Sequence, residues 1–382
     1  PVLILLTLPI TIFSFGLFQN AFSQVLNQRT NMTYDKIQEA IDAAMIGDSL
    51  RLQDGVYKEF EITIKKPLYI HGSHKAIIDG NFKGTVIKIA ANNVHLDGFK
   101  IINIGQSYTK DYAAILLNKS EQFTIENLII EKAFFGILVE KSKNGLVHNN
   151  EISGNSTEEA SSGNGIHMWH SSDILVKNNY THNLRDGIYF EFVTNSNVEN
   201  NRSVNNIRYG LHFMFSNHDN YKGNTFENNG AGVAVMFSKW IKMTDNLFKK
   251  NWGTASYGLL LKEIYDLEAI GNTFEENTIA INIEGSTRIQ YRRNTFSNNG
   301  WAIKVAGACY QNEFIENNFL NNSFDVSYNS KINDNLFENN FWSSYTGYDL
   351  DRDGIGDVPY RPVKLFSYVV NKTPETIVLL RS

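Results

Sequence analysis

Apolar and polar residues alternate in short runs along most of the chain, as in Gly210-Leu211-His212-Phe213-Met214-Phe215. A period of two is the signature of a strand with one buried face, and the 3.6-residue spacing of amphipathic helices is missing from these runs. The runs recur. A small residue followed by an aliphatic stands at Ala114, Gly136, Gly165, Gly187, Gly210, Gly232, Gly258, Ala280 and Ala302, with steps of 22, 29, 22, 23, 22, 26, 22 and 22. A second marker, Asn followed two residues on by an aromatic or aliphatic, runs through Asn127, Asn150, Asn178, Asn201 (a degenerate copy), Asn224, Asn246, Asn272, Asn294 and Asn317. Both markers lengthen in the same two intervals, which places bulges near Ser156 to Ser162 and Trp252 to Ser256. A coil of this size holds three short strands and three turns, so the pattern predicts an all-β chain, a right-handed parallel β-helix with coils of ~22 residues. Equivalent residues of successive coils then lie ~4.8 Å apart. Phe226, Phe248, Phe274, Phe296, Phe319 and Phe337 are expected to stack inside, and the Asn residues to form a ladder at a corner, where Asn tolerates left-handed backbone angles.

A solenoid must cover its two open ends. Tyr34 to Ala44 carries Ile37, Ala40, Ile41 and Ala44 on one helical face, which predicts a short helix lidding the first coil. Past Trp342 the repeat stops: Gly347 to Pro362 reads as a polar loop and Val363 to Ser382 as a cap or docking tail broken at Pro374. At the other end, Pro1 to Phe18 is apolar and uncharged, and Ala21-Phe22-Ser23 supplies the small residues of a signal-peptidase site, so the start reads as an export signal, with a retained membrane anchor as the alternative. The expected organisation is 1–23 signal peptide, 24–66 N-terminal cap and first strands, 67–345 parallel β-helix, and 346–382 Asp-rich loop and docking tail.

Composition narrows the partners. With 35 Lys+Arg against 40 Asp+Glu and a net charge of -5, the chain lacks the basic footprint that a phosphate backbone requires, which argues against nucleic acid. A lone Cys309 excludes an intrachain disulfide framework and a Cys-built zinc or iron-sulfur site; a buried thiol is its expected role.

Aligning the repeats on the small residue gives two outward columns. The first reads His167, Tyr189, His212, Ala234, Leu260, Asn282, Lys304; the second reads Trp169, Glu191, Met214, Met236, Lys262, Glu284, Ala306. Met214 and Met236 should lie one rung apart with His212 beside Met214, a set of thioethers and imidazole suited to Cu(I), and His167 and Glu191 are further copper candidates in the same columns. An apolar patch with a surface histidine is the competing reading. Met168 and Phe213 point inward as core, and His170 and His218 fall near strand ends. A polysaccharide-cleaving enzyme, the other function common on secreted β-helices, needs two carboxylates ~5 to ~9.5 Å apart, whereas Glu191 and Glu284 are four rungs, or roughly 19 Å, apart. Sugar binding by Trp169 and Tyr189 stays open. Asp349, Asp351, Asp353 and Asp357 sit at the spacing of the first nine positions of a calcium loop, with Tyr360 where a bidentate Glu would close it, so calcium competes with a plain polar turn.

The repeats themselves are recognisable. Arg185 to Phe192 (RDGIYFEF), Arg208 to Asn217 (RYGLHFMFSN), Asn229 to Ser238 (NGAGVAVMFS), Tyr257 to Ile264 (YGLLLKEI) and Gly347 to Phe366 (GYDLDRDGIGDVPYRPVKLF) closely resemble the NosD family, and the resemblance runs from about Ile37 to Ser382. It implies a non-catalytic periplasmic β-helix docked on an ABC transporter made of the membrane subunit NosY and the ATPase NosF. The implied role is assembly of the copper-sulfur cluster of nitrous oxide reductase with copper taken from the chaperone NosL. The family's motifs fall on His212, Met214 and Met236, and the Gly347 to Phe366 segment is the candidate transporter-facing end.

Overall fold

The computed structural model describes residues 23–107, 109–329, 334–373 and 375–376. Residues 1–22 of the expected signal peptide and the last apolar run, Ile377 to Leu380, lie outside the described residues. Three sheets of 15, 13 and 12 strands, here called A, B and C, run the length of the molecule, and each coil contributes one strand to each. Every pairing beyond the first strands is parallel; for example Tyr209–Met214 lies between Asp186–Glu191 and Ala231–Met236 in sheet C. This is the parallel β-helix that the period predicts. Among the described residues, no helix is long and apolar enough to cross a membrane.

The repeat folds this way because alternation lets each strand bury one face in a shared lumen. Ile137, Ile166, Ile188, Leu211, Val233, Leu259, Ile281 and Ile303 form one fully buried row along sheet C. Each such side chain is worth about 1.5–3 kcal/mol of burial. Phe226, Phe248, Phe274, Phe296 and Phe319 stack with ring centroids 4.5–5.5 Å apart. Phe337 does not continue this row. It lies in Leu336–Glu338 of sheet A and stacks on Phe314, while Trp342 of sheet B takes the next place over Phe319 at 4.0 Å.

The asparagine ladder is real but shifted at its start. At each corner one residue takes a left-handed φ and the next turns inward. Asn178 (φ 53°) is the corner residue and Asn179 the ladder member, and Asn127 (φ 55°) is likewise a corner residue, followed inward by Leu128. From Asn150 through Asn179, Asn201, Asn224, Asn246, Asn272, Asn294 and Asn317 to Asn340, each member donates its backbone N–H to the next side-chain oxygen; Asn224 does so to Asn246 at 3.0 Å and gives its own Nδ2 to Val198 O at 2.8 Å. A second ladder, Asn206, Asn229, Asn251, Asn277, Asn299 and Asn322, lines another corner. Buried amides are kept only where every donor and acceptor is met, and the constant rung spacing meets them by repetition.

Both ends are covered. The antiparallel pair Val25–Asn27 and Met32–Tyr34 edges sheet A, and the helix Ile37–Ala43 buries Ile37, Ala40 and Ile41 over the first coil, shorter than the expected Tyr34 to Ala44. At the other end the helix Leu365–Lys372 buries Val370 and packs against Phe324–Asn329, the edge strand of sheet C.

Candidate metal centre

On the outer face of sheet C the strand pairing brings together the residues of both expected columns. His167, Tyr189, His212 and Ala234 are successive cross-strand partners, as are Trp169, Glu191, Met214, Met236 and Lys262. Met214 and Met236 are therefore direct neighbours across one rung, both half-buried, and Glu191 is the neighbour of Met214 on the other side. Met168 and Phe213 point inward and are fully buried, as is Cys309, whose thiol faces Ala306 O at 3.3 Å.

The imidazoles are not on an open surface. His212 is only 7% exposed, with Tyr189 edge-on at 5.0 Å and Tyr209 at 4.8 Å, and neither ring nitrogen has a hydrogen-bond partner. An unpartnered buried polar group is costly, and a bound metal ion is a partner that meets an imidazole nitrogen. Burial pushes the His212 pKa down to about 4, helped by Arg208 and Arg185 and opposed by Asp186. His167, which lies between Phe135 and Tyr189, is pushed down to about 3 by burial and then by Arg185; its Nδ1 faces Asn164 Nδ2 at 3.3 Å. Both rings are neutral at ordinary pH, the form in which imidazole binds a metal. The wall around them is set by the buried Asp186 carboxylate, which pairs with Arg208. The Glu191 carboxylate accepts from Tyr189 OH at 3.5 Å.

Sequence reasoning overlooked the corner beside the two methionines. His170, Phe192, Phe215 and Phe237 all adopt left-handed backbone angles (φ 48–55°) and stack ring on ring at 4.6, 5.1 and 5.1 Å. Phe192, Phe215 and Phe237 are 39%, 39% and 43% exposed. A bulky residue at positive φ is disfavoured, and Gly285 and Gly307 hold the same corner in later coils. The signal was legible: Phe follows Glu191, Met214 and Met236 in three consecutive repeats.

Glu191 and Glu284 are four rungs apart, so the carboxylate separation expected of a glycosidase is not met by this pair. Trp169 and Tyr189 stand in different columns on neighbouring rungs, Trp169 beneath Lys141. In the C-terminal loop, Asp349, Asp351 and Asp353 bring carboxylate oxygens within 4.8 Å of one another. Asp357 instead closes the loop by accepting Leu350 N–H at 2.7 Å.

Comparison with known proteins bears on the family and the fold. The family model described as periplasmic copper-binding protein (NosD) matches residues 41–162 and 155–348. A probable ABC transporter binding protein NosD from Stutzerimonas stutzeri is 30% identical over 332 residues, 82% of this chain and 75% of the relative. One of the same name from Pseudomonas aeruginosa is 28% identical over 338 residues, 84% of this chain and 78% of the relative. Among solved structures, the pneumococcal surface adhesin PfbA aligns with a TM-score of 0.58 at 15% identity, covering 81% of this chain and 95% of the adhesin. A Streptomyces thermodiastaticus α-1,3-glucanase aligns at 0.63 and 13%, covering 80% and 65%. These two likenesses show the solenoid fold alone. The family match over most of the solenoid, joined to the relatives' identity over more than four-fifths of the chain, makes this chain a member of the NosD family.

Proposed function

We propose that this protein is a periplasmic accessory of an ABC transporter that receives Cu(I) on sheet C and passes it on during assembly of the copper-sulfur cluster of nitrous oxide reductase. In this reading NosL delivers the ion, and NosY with NosF forms the transporter on which the solenoid docks. Copper is cargo here rather than a resident cofactor. The observation that carries the proposal is the neutral, unpartnered His212 imidazole beside the directly paired Met214 and Met236. Two thioethers and an imidazole favour Cu(I) over harder cations. His167 and Glu191 flank the set and are candidates for completing it as the ion moves along the columns.

The three residues divide the work. His212 supplies a nitrogen that no proton occupies near neutral pH. Met214 and Met236 supply weak, exchangeable sulfur ligands at half-buried positions that a partner protein can reach. The stacked Phe192, Phe215 and Phe237, which follow Glu191, Met214 and Met236 along the chain, offer an apolar rim on which the donor or acceptor seats while the ion crosses. ATP hydrolysis in NosF would bias the solenoid between receiving and releasing states through contacts made by the membrane subunit. The Asp349, Asp351, Asp353 and Asp357 loop is proposed as a calcium-stiffened element at the transporter-facing end.

The test is Cu(I) competition with a chromophoric chelator under anaerobic, reducing conditions. The expected result is one ion per chain, lost when His212, Met214 and Met236 are replaced together. Unchanged Cu(I) affinity in that triple variant would overturn the ligand assignment. In cells, Met214→Ala combined with Met236→Ala should lower copper loading of the reductase.

A further inference from the structure

The outer face of sheet A carries a second constellation, near the N-terminal end and built from harder donors. Successive strands there place Tyr69 and His71, then His95 and Asp97, then Thr124 and Glu126, then Leu146 and His148 on the outward side, so that three of the nine histidines and two carboxylates occupy four rungs. His95, Asp97 and Glu126 each offer a ligand atom within 4.8 Å of the others, and all three are half-buried. His95 Nε2 meets Glu126 Oε1 at 2.7 Å and His148 Nδ1 faces Glu126 Oε2 at 3.5 Å.

The surroundings hold these groups as an outer layer holds metal ligands. Tyr69 stacks on both His71 and His95, at 4.7 and 4.5 Å, which fixes the two ring planes. Its hydroxyl donates to Asp97 Oδ2 at 3.0 Å, and Asn127 Nδ2 donates to Asp97 Oδ1 at 2.7 Å. Asn178 Nδ2 lies 3.1 Å from His148 Nε2 and donates to it, so the His148 proton sits on Nδ1 facing Glu126; rotation of the Asn178 amide to present Oδ1 to an Nε2–H is what frees Nδ1 as a ligand. Orientation of ligating imidazoles and carboxylates by such second partners is what tunes a metal centre.

Charge supplies an independent argument. Asp97 and Glu126 are direct cross-strand partners, and like charges so placed repel. Elsewhere on sheet A, anions on neighbouring rungs are matched by Lys or Arg, as in Lys177 with Glu199, Lys242 with Glu268 and Arg292 with Glu313. Among the described residues no Lys or Arg pairs with Asp97 or Glu126. The protons that the imidazoles direct at Glu126 stand where a cation would stand.

We infer that His95, Asp97 and Glu126, with His148 adjoining, form a binding site for one borderline divalent cation of the zinc class, separate from the copper columns. The donor set decides the class. Imidazole with carboxylate suits Zn(II), the absence of sulfur disfavours Cu(I), and the His95 imidazole, with that of His148 adjoining, disfavours the all-oxygen cations calcium and magnesium. Zinc–ligand distances of about 2.1 Å put tetrahedral donors about 3.4 Å apart, so the cluster closes by rotamer adjustment of His95 and Glu126. Binding exchanges the imidazole-to-carboxylate hydrogen bonds for metal bonds, and the proton on each ligating ring nitrogen moves through solvent to the other nitrogen of the same ring. The bound ion would tie together three adjacent rungs of the first third of the solenoid.

Zn(II) alone, competed against a chromophoric chelator with the purified chain, tests this. The expected result is one ion per chain, accompanied by a raised melting temperature, with affinity lowered at least about tenfold in Glu126→Gln and again in His95→Gln. Because Asp97 also anchors Tyr69 and Asn127, the His148→Gln variant serves as the second, structurally milder probe and should weaken binding too. Met214→Ala with Met236→Ala should leave Zn(II) affinity unchanged, so the fate of this site is read separately from that of the copper site. Binding that persists undiminished in Glu126→Gln and His95→Gln would mean an adventitious ion only and would overturn the inference, as would no measurable Zn(II) binding.

Discussion

Asp219 gives the sharpest prediction. It is fully buried at a corner of sheet A; its Oδ1 accepts the Ser196 N–H at 2.8 Å and its Oδ2 has no partner. Burial pushes its pKa from 3.8 up to about 8, and the Ser196 hydrogen bond only partly offsets this. The folded value lies above the unfolded one, so the native state binds the extra proton. The contribution to stability is therefore full below about pH 4, declines as pH rises, and levels off above about pH 8. At pH 7 the interval from 3.8 is about three units, or about 4 kcal/mol at 1.36 kcal/mol per unit, taken as an upper bound. Asp219→Asn removes the ionisation and keeps the acceptor. The new amide has a precedent four rungs on, where Asn312 in the same column accepts Ile289 N–H at 3.0 Å and donates to Ser286 O at 3.1 Å. Val193 O is the equivalent carbonyl for residue 219. Asp219→Asn should therefore stabilise the protein by about 2–4 kcal/mol at pH 7 and by little or nothing at pH 4. Denaturant unfolding followed by intrinsic fluorescence at pH 4, 7 and 8.5 measures this. A stability difference that does not change with pH, or a variant weaker than wild type at pH 8.5, would refute the reasoning.

Three further outcomes are expected. If His212 is a copper ligand, Cu(I) affinity should stay flat from pH 7 to pH 5, because protons compete only near its pKa of about 4, whereas a ligand titrating at the ordinary 6.5 would weaken binding steadily over that range; competition titrations across pH separate the two. Asn246→Ala should cost about 2–4 kcal/mol, since it removes the partner of Asn224 N–H, of one of the two Asn224 Nδ2 hydrogens and the side-chain donor to Tyr221 O, as read by denaturant midpoint. Phe215→Asn should change stability by less than about 1 kcal/mol, because relief of left-handed strain balances lost stacking, yet should lower copper loading of the reductase in cells; normal loading would remove the aromatic rim from the docking surface.

Much of the centre was readable because a solenoid converts sequence spacing into distance. A step of 22 or 23 residues returns the chain to the same face, so aligning the repeats on Gly210 and Gly232 was enough to make Met214 and Met236 neighbours. The same spacing, one position further along each strand, puts Phe192, Phe215 and Phe237 in one corner row. The sheet A cluster was harder to see. Its members His95 and Asp97 precede the first small-residue marker, Ala114, and His95, Asp97 and Glu126 share no local motif. The errors were of a related kind: Asn178 for Asn179 and Phe337 in the wrong stack are slips of one residue and of one sheet, which period alone does not resolve.

The sequence by itself determined the solenoid, its rung length, its two bulged coils and the columns of its outer face, because strand alternation and a fixed repeat are local properties summed along the chain. Only the tertiary structure decided how those columns are clothed. His212 reads as a surface histidine in its own strand, and it is the neighbouring rungs, Tyr189 on one side and Ala234 on the other, with Tyr209 beside it, that remove it from water and hold it neutral. Burial and desolvation depend on what stands on the adjacent coil and on side-chain directions, and these are set when the coils stack.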